Sequence, residues 1–340
     1  MNNSQLLDRL LDGNDLEEQQ AYDLMQQFAA GDLDPAFGGA LLAGLRAKGE
    51  TADEIRGFAR AMRELAVHPK IPGGAPTVDT VGTGGDGSGS LNLSTGTGLL
   101  AAACGSRVVK HGNRSVSSKS GSADMLECLG MPLPLHEKEA VDCLQATNFT
   151  FLFAPAYHPA MKVVVPVRGA LGVRTVFNIL GPLTNPASTP FQLIGAFSRD
   201  TAKLMAEALA GLPIERAFVV HGEPGWDEAT PAGNFWLYDV TPGSVVETQR
   251  SPEDYGLGRC TPEDLAGGDA EHNARELERV FTGDDKGAHR DALLMGTSLV
   301  LEVQGLAADA KDGVAQAAAA IDDGRAGKFL SMLRTHFRNT

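Results

Sequence analysis

Cysteine is scarce in this 340-residue chain, which holds four: Cys104, Cys128, Cys143 and Cys260. None falls in a CxxC pair or near a histidine at metal-ligand spacing, so reduced, buried thiols in a cytosolic protein are the expectation. Basic charge is also in short supply, with 29 Lys and Arg against 43 Asp and Glu and a formal net charge of −14. An acidic surface of that size argues against a nucleic-acid or anionic-membrane partner, although a local basic pocket can still hold phosphate. No apolar run approaches the roughly 18 residues that would span a bilayer. The first residues, MNNSQLLDRLLDGNDLEEQQ, lack a basic stretch followed by an apolar core. A cytoplasmic chain with no signal peptide and no membrane span is expected.

What is present suits a globular fold. The chain is 43% hydrophobic and 21% charged, and its length points to about two domains. The first seventy residues read as helices. Leu6, Leu7, Leu10 and Leu11 share one helical face, and Ala21, Leu24, Met25 and Phe28 repeat the spacing before Gly31 stops it. Two more helices are expected over Pro35 to Leu45 and Asp53 to Leu65, the second opening on a Thr51-x-x-Glu54 capping box. Their apolar faces exceed the needs of a four-helix unit, so the rest of the chain or a second copy of it must cover them.

Val67 to Pro76, VHPKIPGGAP, is a proline and glycine linker that marks a boundary. Beyond it, β-branched runs alternate with alanine-rich stretches: Thr77 to Val81, Arg107 to Lys110, Phe149 to Phe153, Gln192 to Phe197 and Ala217 to His221. Strands separated by helices imply a largely parallel sheet with helices on its faces. Between Pro155 and Pro190 an insertion carries His158-Pro159, Pro166 and an expected helix over Ala170 to Leu180. It reads as a segment that packs on the N-terminal helices rather than on the sheet.

Three segments that follow strands carry the chemistry. Val78 to Thr95, VDTVGTGGDGSGSLNLST, has glycines at 82, 84, 85, 87 and 89 ahead of a helix start. Such a turn can converge its amides on an anion, with Asn92, Ser94 and Thr95 at the helix's positive end; taken alone it is more often only a turn. The second, KHGNRSVSSKSGSAD over 110 to 124, gathers cations, hydroxyls and glycines as a phosphate clamp does, or as a solvated serine loop does. The third, HGEPGWDEAT over 221 to 230, ends in adjacent Asp227 and Glu228, oxygen ligands suited to a hard cation such as Mg²⁺ or simply an exposed acidic turn. Their joint occurrence decides between these readings: loops after neighbouring parallel strands meet at the sheet's carboxyl edge, where ligands of open α/β sheets bind.

The words VGTGGDG (81–87), NLST (92–95), KHGNRSVSS (110–118), SGSAD (120–124), HPAMK (158–162), PVRGALGVRTVFNILGPLTNP (166–186) and GWDE (225–228) resemble the anthranilate phosphoribosyltransferase family. LRAKGET (45–51) and AMRE (61–64) extend the likeness into the helical part, and it weakens after about Asp239. The resemblance implies a small all-helical domain plus a larger α/β domain with a mainly parallel central sheet, of the nucleoside phosphorylase/phosphoribosyltransferase type. The helical domain would comprise residues 1–72 joined by the insertion at about 156–187, and the α/β domain 73–155 and 188–340. The implied reaction moves the phosphoribosyl group of phosphoribosyl pyrophosphate to the amine of anthranilate, in tryptophan biosynthesis, in a homodimer built through the helical domain.

Carried over position by position, the donor would be held by Gly82, Gly85, Asp86, Ser90, Asn92, Leu93, Ser94 and Thr95. Lys110, His111, Gly112, Asn113, Arg114, Ser115, Val116, Ser117, Ser118 and Ser122 would hold its other side. Two Mg²⁺ ions are implied, one on Ser94 and Glu228 and a second on Asp227 with Glu228, while Gly82, Asn113 and Arg168 would contact anthranilate. No nucleophile, base and orienter triad is evident, and none is required: a weakly basic, uncharged aromatic amine can attack without prior deprotonation. No residue, His111 included, is assigned as acid or base. Trp226 stands where the family has leucine, Met295-Gly296 where it has Asn-Ala, and Ser90 where it has threonine. These departures leave a substituted anthranilate open as acceptor. A pyrimidine nucleoside phosphorylase would carry a Lys-His-Ser-Thr-Gly-Gly type loop in place of Val81 to Asp86, and a non-catalytic nucleic-acid-binding paralogue would have lost Asp227 and Glu228 and gained a basic face.

Overall fold

The computed structural model describes residues 2–115, 119–223 and 225–338. Four helices open the chain: α1 (Asn3–Leu11), α2 (Glu18–Ala30), α3 (Pro35–Lys48) and α4 (Ala52–Glu64). Each start has a local cause. Asn2 and Gln5 form a capping box, Asp34 accepts from the amides of Ala36 and Phe37 ahead of Pro35, and Thr51 and Glu54 form the expected box. Glycine in the left-handed region ends α2 at Gly31.

The insertion departs from the sequence reading in detail. Its main helix is Met161–Leu171, carrying Pro166 inside it, and Gly172 stops it in the left-handed region at φ 63°, so a separate short turn, Phe177–Leu180, follows. The expected single helix over Ala170 to Leu180 therefore falls across a break that Gly172 dictates. Met161–Leu171 packs against α2 and α3.

Seven strands make one sheet in the order β3-β2-β1-β4-β5-β6-β7. β1 (Thr77–Gly82), β2 (Arg107–Gly112), β3 (Phe149–Phe153), β4 (Phe191–Gly195) and β5 (Arg216–Gly222) are parallel. β6 (Phe235–Thr241) and β7 (Ser244–Arg250) form an antiparallel hairpin on one edge, which the sequence reading did not name. The alternation along the strands feeds two cores. Phe191, Leu193, Phe218 and Val220 face one core with α5 (Leu93–Ala103) and the helix Ala288–Val303. Ile194, Val219, Tyr238 and Val81 face the other, which is continuous with α1 to α4, the insertion and the helix Arg199–Leu209. The excess apolar surface of the N-terminal helices is thus covered in part by the sheet's own face. Among the described residues no helix is long and apolar enough to cross a membrane.

Candidate active site

The ends of β1, β4 and β5 share one feature that composition alone does not reveal: each closes on a glycine, Gly82, Gly195 and Gly222. The acidic segment after β5 runs back across these ends. A Cβ on Gly195 would stand 1.5 Å from the Asp227 carbonyl oxygen, one on Gly222 2.1 Å from that of Glu228, and one on Gly82 2.4 Å from Asp227 Oδ2. Any side chain there would displace the two carboxylates, so the three glycines form their floor. Sequence reasoning used Gly82 alone; Gly195 and Gly222 likewise close their strands, but nothing local marks what crosses over them.

On this floor the carboxylates meet backbone donors. The Gly84 amide donates to Asp227 Oδ2 at 2.6 Å, and the Ser94 amide, in the first turn of α5, donates to Glu228 Oε1 at 3.0 Å. The Asp227 amide donates to Asp86 Oδ2 at 3.3 Å. The loop between them turns through left-handed glycines, with φ 67° at Gly84 and 72° at Gly85, and is pinned by Thr83 N to Gly195 O at 3.0 Å and Leu91 N to Leu265 O at 3.1 Å. Arg174, from the insertion, donates to the Gly85 carbonyl and lies over the Phe197 ring. The sequence reading assigned Arg174 no part.

Burial, and then the nearby Asp86 charge, raises the Asp227 carboxyl above its ordinary range. Burial and then Asp227 raise Glu228 well above its own. Two proton-hungry carboxylates beside a serine hydroxyl are an all-oxygen donor set that fits a hard cation.

Lys110 is 1% exposed and donates to the Thr80 carbonyl and, at 3.3 Å, to Ser94 Oγ. It therefore sits behind the site rather than in it. His111 is buried, its ring 5.1 Å from that of His158, and burial pushes the two imidazoles down to about 3 and about 4, so both are neutral at physiological pH. Their Nε2 atoms lack a partner, as does the buried Thr95 hydroxyl. Asn92 does not cap α5; its Oδ1 accepts from Ser120 Oγ and Asn273 Nδ2 at 2.9 and 2.8 Å, tying the glycine loop to the serine loop. Ser90 bonds Ser88 and the Leu91 carbonyl. Arg114 is gripped by Asp124 at 2.9 Å and Glu127 at 2.6 Å, Ser115 N donates to Asp124, and Ser122 opens the helix Ser122–Cys128. Val116, Ser117 and Ser118 lie outside the described residues.

The structure thus joins Gly82, Asp86, Ser94, Lys110, Asp227 and Glu228 through direct contacts. Asn113, exposed just past the end of β2, and Arg168, in the last turn of the insertion helix, stand apart from that set. Arg168 stacks over Phe177 at 5.6 Å, and burial lowers its proton affinity.

Two family descriptions match the chain: the glycosyl transferase family helical bundle domain over residues 4–66 and the glycosyl transferase family a/b domain over residues 74–327. The anthranilate phosphoribosyltransferase of Parasynechococcus marenigrum is 45% identical, over 98% of this chain and 95% of the relative, and that of Rubrobacter xylanophilus 44% identical over 92% and 91%. The crystal structure of anthranilate phosphoribosyltransferase from Thermus thermophilus superposes with a TM-score of 0.91 at 41% identity, covering 98% of this chain and 99% of that one. The Saccharomyces cerevisiae enzyme in complex with PRPP and Mg gives 0.90 at 26% identity, over 99% and 98%. With this sheet edge, this acidic pair and these relatives, the chain belongs to the anthranilate phosphoribosyltransferase family.

Proposed function

We infer that the chain transfers the phosphoribosyl group of phosphoribosyl pyrophosphate to the amine of anthranilate, releasing pyrophosphate and forming N-(5-phosphoribosyl)anthranilate for tryptophan biosynthesis. The observation that carries this reading is the seating of Asp227 on the Gly84 amide and of Glu228 on the Ser94 amide, which places two cation-seeking carboxylates against an amide-lined glycine loop. Solved structures of the yeast relative with PRPP and Mg, and with 4-fluoroanthranilate, agree with it.

Mg²⁺, when bound, would neutralise the charge that gathers on pyrophosphate as the C1–O bond breaks. Ser94 and Glu228 would hold one ion, and Asp227 with Glu228 a second. The remaining work belongs to the chain. The loop from Gly82 to Thr95 and the turn from Lys110 through Ser122 would fix the donor, and Arg168 with Asn113 would hold the acceptor so that its amine meets C1, which removes much of the entropic barrier. Arg168 has no acidic partner among the described residues and can offer its guanidinium fork to a carboxylate. Burial pushes His111 down to about 3, which makes it too weak a base for proton abstraction, in keeping with an acceptor amine that needs none.

Anthranilate itself is favoured over a substituted relative because Trp226 and Met295, the two bulkier departures, are buried at 6% and 0% exposure and offer little surface to an acceptor. The helical unit of residues 1–72 with the segment at about 156–187 forms one domain in this reading and the remainder the other. A homodimer through the helical domain is supported by Val163, Val165 and Val173, all exposed on the insertion that packs there. The cytoplasm is the proposed location.

The test is direct. Mixing the protein with both substrates should abolish anthranilate fluorescence only when Mg²⁺ is present; no loss at any protein concentration, with substituted anthranilates equally inert, overturns the reading. For Arg168→Ala the anthranilate KM should rise about tenfold or more with the donor KM little changed, and an effect confined to the donor contradicts the acceptor role.

A further inference from the structure

β1 and β2 are paired only at their starts, Thr77 with Arg107 and Val78 with Val108. Past that point the two strands part, and backbone groups of the lost ladder are taken up by side chains. Asp79 Oδ1 accepts from the His111 amide at 3.2 Å, and Asp79 Oδ2 accepts from Asn185 Nδ2 at 2.8 Å. The same Asn185 nitrogen donates to the Val109 carbonyl at 2.8 Å. Lys110 Nζ fills the third position, on the Thr80 carbonyl. Asp79 is fully buried, and Asn185, equally buried, belongs to the turn that closes the insertion. A buried carboxylate is retained at such a place only when its partners offset its desolvation. Here two hydrogen bonds and the Lys110 charge offset part of that cost, and burial still raises the carboxyl to about 6.

We propose that Asp79 is a positioning residue for the donor site, holding the end of β2 at His111 and the Asn185 turn in one frame and balancing the Lys110 ammonium so that it braces Ser94 instead of capturing Glu228. The proposal rests on the reading of Asp227 and Glu228 as the Mg²⁺ carboxylates. Lys110 lies in the fields of Asp79, Glu228 and Asp227, with Asp79 the strongest of the three. Removing the Asp79 charge leaves the ammonium to the metal carboxylates, where it competes with a cation that must bind them. Loss of a group bonded directly to a metal ligand costs roughly 10 to 100-fold in metal affinity, and Asp79, which acts through Lys110, belongs at the low end of that range.

The experiment is a calorimetric titration of phosphoribosyl pyrophosphate into the full-length protein at graded MgCl₂, without acceptor, together with the melting midpoint of each ligand-free protein. Wild type should bind the donor in a Mg²⁺-dependent manner, and Asp79→Asn should need about tenfold more Mg²⁺ for the same binding. An unchanged Mg²⁺ requirement in Asp79→Asn, with or without a lowered melting midpoint, overturns the proposal. Absence of Mg²⁺-dependent donor binding in the wild type overturns instead the reading of the site, and the proposal with it. If Asp79→Asn does not fold, Asn185→Ser decides: it keeps the carboxylate and removes the clamp, and the proposal expects the Mg²⁺ requirement to rise, by less than on loss of the charge itself. A lower melting midpoint with no change in that requirement is the behaviour of a merely structural contact and overturns it.

Discussion

The acidic segment after β5 and the basic segment after β2 end at the same edge of the sheet, yet they dispose of their charge in opposite ways. Asp227 and Glu228 accept from backbone amides, yet burial and then the neighbouring carboxylates, Asp86 for Asp227 and Asp227 for Glu228, raise their proton affinity. Arg114, the conspicuous cation of the other segment, is already shared by Asp124 and Glu127. Lys110 itself is engaged by Thr80 and Ser94. The acidic side is short of a cation, whereas the basic side is not short of anions. A polyanionic donor therefore gains most from a metal on the acidic side and least from the guanidinium on the basic side.

Removing the acidic side is the severest test of that difference. Asp227→Ala with Glu228→Ala should lower turnover by about 10³-fold or more, equivalent to about 4 kcal/mol of transition-state stabilisation. The melting midpoint should hold or rise, because two poorly compensated buried carboxylates are lost. Steady-state rates against Mg²⁺ and a thermal melt check both halves. Normal Mg²⁺-dependent turnover in the double variant would break the comparison outright.

How far the sequence alone reached follows the same division. The helical bundle, the five parallel strands and the three loops were legible because caps, glycine stops and β-branched runs are local signals, as at Thr51-Glu54 and Gly31. The hairpin Phe235–Thr241 and Ser244–Arg250 was not, since its outer strand is mostly exposed and polar and its turn is Pro242-Gly243 rather than Asn-Gly. At the site, the residue types of the donor loops were readable, but not which charges were free. That Arg114 faces Glu127, thirteen residues on, or that Asp79 replaces a ladder bond to His111, depends on how strands part and helices turn back. Glycines at 195 and 222 matter through what crosses over them, a long-range contact with no local trace.

The proton affinities give the comparison a pH dependence. A carboxyl whose folded pKa is raised contributes stability that is fully present below its unfolded pKa and lost as pH rises through the folded value. For Asp227 that window runs from the ordinary aspartate value of 3.8 to about 7. His111 and His158, pushed down to about 3 and about 4, have the opposite sign: their contribution is present above the unfolded pKa near 6.5 and lost as pH falls through the folded values. The bare melting curve therefore mixes the two, and the increment produced by Mg²⁺ with donor is the cleaner measurement. Because the metal needs ionised ligands, the increment should grow from about pH 5.5 to about pH 8, with the Mg²⁺ requirement falling by up to about tenfold per unit below the window's upper end. An increment independent of pH would remove the carboxylates from the binding step.

The smallest expected effect lies on the basic side. Arg114 is nearly half exposed, and exposed ion pairs are worth about 0 to 1 kcal/mol, so a phosphate can take the guanidinium only by displacing partners of similar strength. Arg114→Ala should accordingly raise the donor KM by about threefold and leave kcat and the Mg²⁺ requirement as they are. Glu127→Gln sharpens the point by moving in the other direction: it relieves the guanidinium of one charged partner while keeping the side-chain shape, and should lower the donor KM by a factor of similar size. A loss approaching that of the Asp227 and Glu228 double variant on removing Arg114 would mean that the basic loop carries the donor's charge, and the asymmetry between the two segments would be reversed.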